Sequence, residues 1–246
     1  MDSILAELYD HDFLKQLQVM WPDPTAMSHL DHELHLLKEE LIEMHRLVRA
    51  QLSKCKTSLE KFDTDLAKEV IFNEKRVNAL ELKIDRDCEN ILALLNPVAV
   101  DLRFILAALK INSNMERIGD NAEGIARYVL DVTTPFDKQM LVDFEMEKMY
   151  QTALSMIDDA LESLITEDTS LARKVFQKDD ILDAINRKAT GITLRYIREN
   201  RADSLHFLNA LSIIRKLERV GDQTKNVAEE IIFYIEAKVL KHGTKI

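Results

Sequence analysis

Leu30, Leu34, Leu37, Leu41, Met44 and Val48 recur three or four residues apart, with charged and polar residues between them. That spacing predicts an amphipathic helix with one apolar stripe over residues 27–60. Prolines mark where such stretches stop. Pro22 and Pro24 close a leader, Pro97 and Pro135 each interrupt a long helical stretch, and residues 25–96 and 136–246 contain none. With further breaks near 61–63, 166–169 and 199–203, the pattern predicts helices over 27–60, 64–95, 98–131, 136–165, 169–198 and 203–240. Helices of about 30 residues, each roughly 45 Å long and joined by short connections, fold back antiparallel into bundles. Residues 1–26 read as a short extra helix followed by a Trp21-Pro22-Asp23-Pro24 turn.

The two halves repeat one another. Residues 101–127 match 203–229 without a gap, at an offset of 102 residues. Asp101 and Asp203, Leu106 and Leu208, Ala108 and Ala210, Leu109 and Leu211, and Ile111 and Ile213 lead into Glu116-Arg117-Ile118-Gly119-Asp120 over Glu218-Arg219-Val220-Gly221-Asp222. The expected fold is therefore all-α, with two tandem three-helix bundles, 27–131 and 136–240, placed end to end with separate cores.

Composition narrows the function. Just 5 Gly and 4 Pro among 246 residues argue against a turn-rich β sandwich or barrel. A formal net charge of -10 argues against nucleic acid as a partner. No window is apolar enough to span a bilayer, and Asp2, Glu7, Asp10 and Asp12 stand where a signal peptide would be basic and then apolar, so a cytosolic protein is expected. Cys55 and Cys88 form no CxxC and read as buried thiols.

The repeated motif carries the candidate chemistry. Glu116 and Asp120, like Glu218 and Asp222, are four apart and share a helix face. Each copy also has a glycine in mid-helix, which costs about 1 kcal/mol relative to alanine and is expected to admit a close backbone. The preceding helices offer a facing set at i, i+4, i+7: Glu74, Asn78 and Glu81 in the first half, and Asp179, Asp183 and Asn186 in the second. Antiparallel hairpins turning near 98 and 201 would set Glu81 level with Glu116 and Asp183 level with Glu218, giving two acidic clusters. Oxygen donors without His or Cys suit magnesium, manganese or iron, and zinc as a borderline occupant. His29, His32 and His35 near the first helix start are left out as solvated or capping residues. No Glu-x-x-His, GxGxxG, P-loop, GxSxG or HExxH is present, so an enzyme is not expected.

Asn78-x-x-Glu81, Pro97-x-x-x-Asp101-Leu102-Arg103, Glu116 to Ala122, and Glu218 to Asp222 followed by Asn226-Val227-Ala228-Glu229 resemble the PhoU family of phosphate-signalling regulators. The resemblance spans about residues 27–240. It implies two three-helix bundles, metal ions held by carboxylates, and a cytosolic homodimer. It further implies an adaptor that links the ATPase subunit of a phosphate ABC transporter to a membrane sensor histidine kinase and represses phosphate-starvation genes when phosphate is plentiful. A carboxylate metal-storage or redox bundle and a purely structural scaffold are the competing readings. Where the second copy has Asn226 and Glu229 the first has Gly124 and Arg127, and Asn78 stands opposite Asp183. On those differences the second cluster is expected to bind metal more tightly than the first.

Overall fold

A computed structural model describes residues 28–199 and 203–240, and every regular element among them is helical. In chain order these are α1 (His29–Lys61), α2 (Thr64–Leu94), α3 (Val100–Leu130), α4 (Lys138–Asp143), α5 (Met146–Thr166), α6 (Thr169–Glu199) and α7 (Ser204–Glu236). The predicted leader and the hairpin turn near 201 lie outside the described residues. No described helix is long and apolar enough to cross a membrane.

Local chemistry sets the ends. Ser28 and Asp31 cap α1 reciprocally, each side chain accepting from the other's backbone N–H at 3.2 Å. Phe62 closes α1 in the left-handed region at φ 53°, and Asp63 then caps α2 by accepting from Leu66 N at 2.9 Å. The same corner recurs in the second half, where Glu167 has φ 58°. Ser58 Oγ donates to the Asp63 carbonyl at 2.7 Å, and Ser163 Oγ donates to the Asp168 carbonyl at 2.8 Å. The repeat therefore reaches back beyond 101–127, at an offset of 105 residues (58 to 163).

Two predicted boundaries change. The single helix expected over 136–165 breaks at Glu145, whose φ is 51°. Phe144 turns into the core there, and Asp143 accepts from the Tyr196 hydroxyl of α6 at 3.0 Å, so α4 is tied sideways to α6. The last helix stops at Glu236, because Ala237 is left-handed at φ 55°.

The halves lie side by side, which corrects the end-to-end expectation. Helices α1, α2 and α3 pack together, as do α5, α6 and α7, and the most extensive contact of all joins α3 to α7 across the halves. The Phe104 and Tyr234 rings meet edge to face at 5.2 Å, Asn226 Nδ2 donates to Asn114 Oδ1 at 3.2 Å, and Asn209 Nδ2 donates to the Tyr128 carbonyl at 3.2 Å. Those pairs run in opposite directions, so α3 and α7 are antiparallel. Their register converges on the equivalent, fully buried Ile118 and Val220, as an internal twofold requires. The twofold mate of the Asn114–Asn226 pair is Lys216 with Gly124, where an added Cβ would lie 2.3 Å from Lys216 Cε. Helix α1 runs antiparallel along α5, with Arg49 Nη2 donating to Asp158 at 3.0 Å and Lys38 Nζ to Glu167 at 2.9 Å.

The reason lies in α3 itself. Beside the buried stripe of Ile105, Ala108, Ile111, Met115, Ile118, Ala122 and Ile125, Phe104, Ala107, Ala126 and Val129 are buried as well, an apolar surface too wide for α1 and α2 to cover. One continuous core results. Ile118→Ala is expected to lower stability by about 2–5 kcal/mol, with both halves still unfolding in one transition. Urea denaturation followed by circular dichroism checks this, and two separated transitions would mean independent cores.

Candidate functional site

Each Glu-x-x-x-Asp pair lies at mid-helix, on α3 as Glu116 and Asp120 and on α7 as Glu218 and Asp222. In the first half the facing helix α2 supplies Glu74, which is just 5% exposed and has no hydrogen-bond partner on either carboxylate oxygen. Burial, and then the charges of Asp120, Glu123 and Glu116, push its pKa up to about 8. The Gln51 carboxamide of α1 faces it and opposes that rise without closing a hydrogen bond. Glu81 is also raised, by burial and then by Asp85 and Asp120. Glu116 is raised by burial, Asp120 and Glu81, against the opposing Arg117. Glu81 and Glu116 are thus neighbours, as the spacing predicts. Asn112 Nδ2 fixes that register by donating to the Glu81 carbonyl and to Asp85 Oδ1, both at 2.9 Å. Asn78 is exposed, and among the described residues no hydrogen bond ties it to these carboxylates.

The glycines of the motif admit side chains, not the backbone expected from sequence. A Cβ on Gly119 would lie 3.1 Å from Glu74 Oε2 and 3.2 Å from Oε1. A Cβ on Gly221 would lie 3.2 Å from Asp179 Oδ1 and 2.5 Å from Leu182 Cδ1. In both halves the helix gives up a methyl group so that a buried carboxylate of the facing helix can sit against it.

The second cluster is built on the same frame with a different charge. Asp179 on α6 is 6% exposed. Lys225 Nζ donates to Asp179 Oδ2 and, at 3.0 Å, to Asp222 Oδ1. Burial disfavours that ammonium, but its bonds to the two carboxylates outweigh burial and raise its pKa. Burial still holds the Asp179 pKa up. Glu218 is raised by burial, Asp222 and Asp183, with Asn186 and Arg219 opposing. Asp183 lies 4.0 Å from Arg187.

Position 225 corresponds to 123 in the first half, so a lysine stands where the first cluster has Glu123. Arg127, expected to weaken the first cluster, instead pairs with Glu123 at 2.6 Å. The local charge thus favours the first cluster, the reverse of the sequence expectation. The signal for both residues was in the aligned repeat, three residues past each motif aspartate. Among the described residues no group of three or more His, Cys, Asp or Glu side chains is arranged to hold a metal ion. The donor chemistry of the first cluster nevertheless fits a hard cation, because the two orphaned Glu74 oxygens lie among carboxylates.

The raised Glu74 pKa has a defined effect on stability. Its carboxyl group binds a proton more tightly folded than unfolded, so it costs nothing below about 4.5 and the full penalty above about 8. With chelator present, stability is expected to fall as pH rises through that window, at up to about 1.4 kcal/mol per pH unit. Glu74→Gln should flatten the decline, and denaturant titrations from pH 5 to 9 on both proteins measure it. An unchanged slope would show that Glu74 is ionised at neutral pH.

The PhoU domain matches this chain twice, over residues 41–129 and 146–231. A phosphate-specific transport system accessory protein PhoU homolog of Burkholderia is 31% identical over 221 residues, 89% of this chain and 94% of that protein. Homolog 1 of Thermotoga maritima is 33% identical over 217 residues, 87% of this chain and 91% of its own length. The crystal structure of PhoU from Pseudomonas aeruginosa superposes with a TM-score of 0.78 at 28% identity, covering 85% of this chain and 100% of that one. The regulatory protein PhoU from Streptococcus pneumoniae gives 0.76 at 26%, covering 87% and 100%. With both halves matched, the chain belongs to the PhoU domain family, whose named members are accessory and regulatory proteins of phosphate transport systems.

Proposed function

We propose that this protein is a cytoplasmic adaptor that couples the ATPase subunit of a phosphate ABC transporter to a sensor histidine kinase and holds phosphate-starvation genes off when phosphate is plentiful. The observation that carries the reading is the match of both halves to one family of phosphate transport accessory proteins. The long helical faces supply docking area and the molecule acts as a homodimer. Glu74, Glu81, Glu116 and Asp120 would hold a divalent or trivalent cation such as magnesium, manganese or iron, with zinc as a borderline occupant. The ion would supply positive charge beside the buried Glu74 carboxylate, with these residues of α2 and α3 holding it between the two helices.

The test is genetic and biochemical together. Deletion is expected to leave phosphate-starvation genes switched on in rich phosphate, the intact gene to restore repression, and the Glu74→Gln allele to restore it incompletely. Tagged protein at native level should co-purify with the transporter ATPase or the kinase. Normal repression in the deletion strain would overturn the adaptor reading.

A further inference from the structure

The twofold places the two carboxylate clusters in equivalent settings, so their differences stand against a common frame. Glu74 and Asp179 are the buried acids, each seated against the glycine of the facing motif. Asp120 and Asp222 are the motif aspartates, and Glu123 and Lys225 occupy the next aligned charged position. We infer that the clusters are unequal sites: Lys225 is a cation built into the chain that fills the second cluster, and the first is the one open to a metal ion. The inference rests on the proposed reading of the first cluster as a cation site.

Three observations carry it. The Lys225 ammonium bonds to both Asp179 and Asp222, one acid from each of the two facing helices, which is the bridging position a metal ion would need. A divalent ion entering there must break both bonds and leave a displaced ammonium nearby, losing their attraction and adding a repulsion. A tethered ammonium also pays no association cost, so it competes at all metal concentrations.

The first cluster has no such occupant among the described residues. Glu74 keeps both carboxylate oxygens without hydrogen-bond partners at 5% exposure. No lysine or arginine bonds to it. Around the other acids of the cluster, Arg127 pairs with Glu123, and Lys216, which reaches over from α7, donates to the Asn121 carboxamide at 3.3 Å, with Asp120 and Glu123 attracting it through space without a hydrogen bond. Arg117 is exposed beside Glu116.

Manganese(II) is a suitable probe, being a hard ion that reports its bound state by electron paramagnetic resonance. Full-length protein stripped with chelator would be dialysed to equilibrium against manganese(II) as wild type, Glu74→Gln, Asp222→Asn and Lys225→Met, with circular dichroism checking the fold of each. Wild type and Asp222→Asn are expected to bind the same amount. Glu74→Gln should bind at least tenfold more weakly, and Lys225→Met should bind about twice the wild-type amount. In chelator Lys225→Met should melt below wild type, and manganese should raise its Tm by more than it raises that of wild type. Lys225→Gln, which keeps a donor for Asp179 without the charge, takes its place if the methionine variant does not fold, with the same gain expected.

Two results would overturn the inference: Asp222→Asn losing as much manganese as Glu74→Gln, or no gain on replacing Lys225. Manganese bound by the Lys225 variants but not by wild type would uphold the lysine's role and overturn the cation reading of the first cluster. No manganese bound by any of the proteins would overturn both.

Discussion

The antiparallel seating of α3 on α7 is the constraint from which the rest follows. These two helices carry the widest apolar surfaces in the chain, and neither is covered within its own half. Pressing them together completes both bundles at once and makes the core continuous. Because the register converges on Ile118 and Val220, the repeated motifs arrive at the centre of the molecule back to back. Their apolar residues close the interface, and their acids are left to face outward to α2 and α6.

That arrangement creates the second constraint, a buried acid on each outer helix. Removing a carboxylate from water is unfavourable unless it is protonated, paired or bound to a cation. Glu74 and Asp179 occupy equivalent places under glycines that leave them room, yet the chain answers the same problem in two ways. At Glu74 burial and the neighbouring acids raise the carboxyl pKa to about 8, which disfavours its charged form. At Asp179 a lysine from the neighbouring helix supplies the charge. The bundle is thus symmetric in backbone and asymmetric in electrostatics.

Much of this was legible in the sequence. The apolar period located the long helices, and the acids at i and i+4, with Glu74, Glu81, Asp179 and Asp183 opposite, could be placed by spacing. The lateral packing was not, since the stripe that buries α3 against α1 and α2 does not show how much apolar surface remains on its other side. Lys225 is not legible in the sequence, because a lysine three residues beyond an aspartate looks like any solvated ion pair. Its significance depends on Asp179, which lies on another helix 46 positions earlier. The break at Glu145 was equally hidden, since a left-handed residue that is not glycine leaves no mark in composition. Gly119 and Gly221 were visible as anomalies, but their cause is a side chain in another element.

The repeat offset changes along the chain, from 105 residues across the first two helices of each half to 102 in the third. The three extra residues of the first copy must lie between α2 and α3, in the connection that holds Pro97 and the exposed Val98. Both copies nonetheless bring the same residues of the facing helices together, so this hairpin absorbs length without disturbing helical phase. Lengthening such a loop adds little closure entropy. The tip beside Val98 is therefore the natural place to graft a reporter domain into the chain, away from the mid-helix acids.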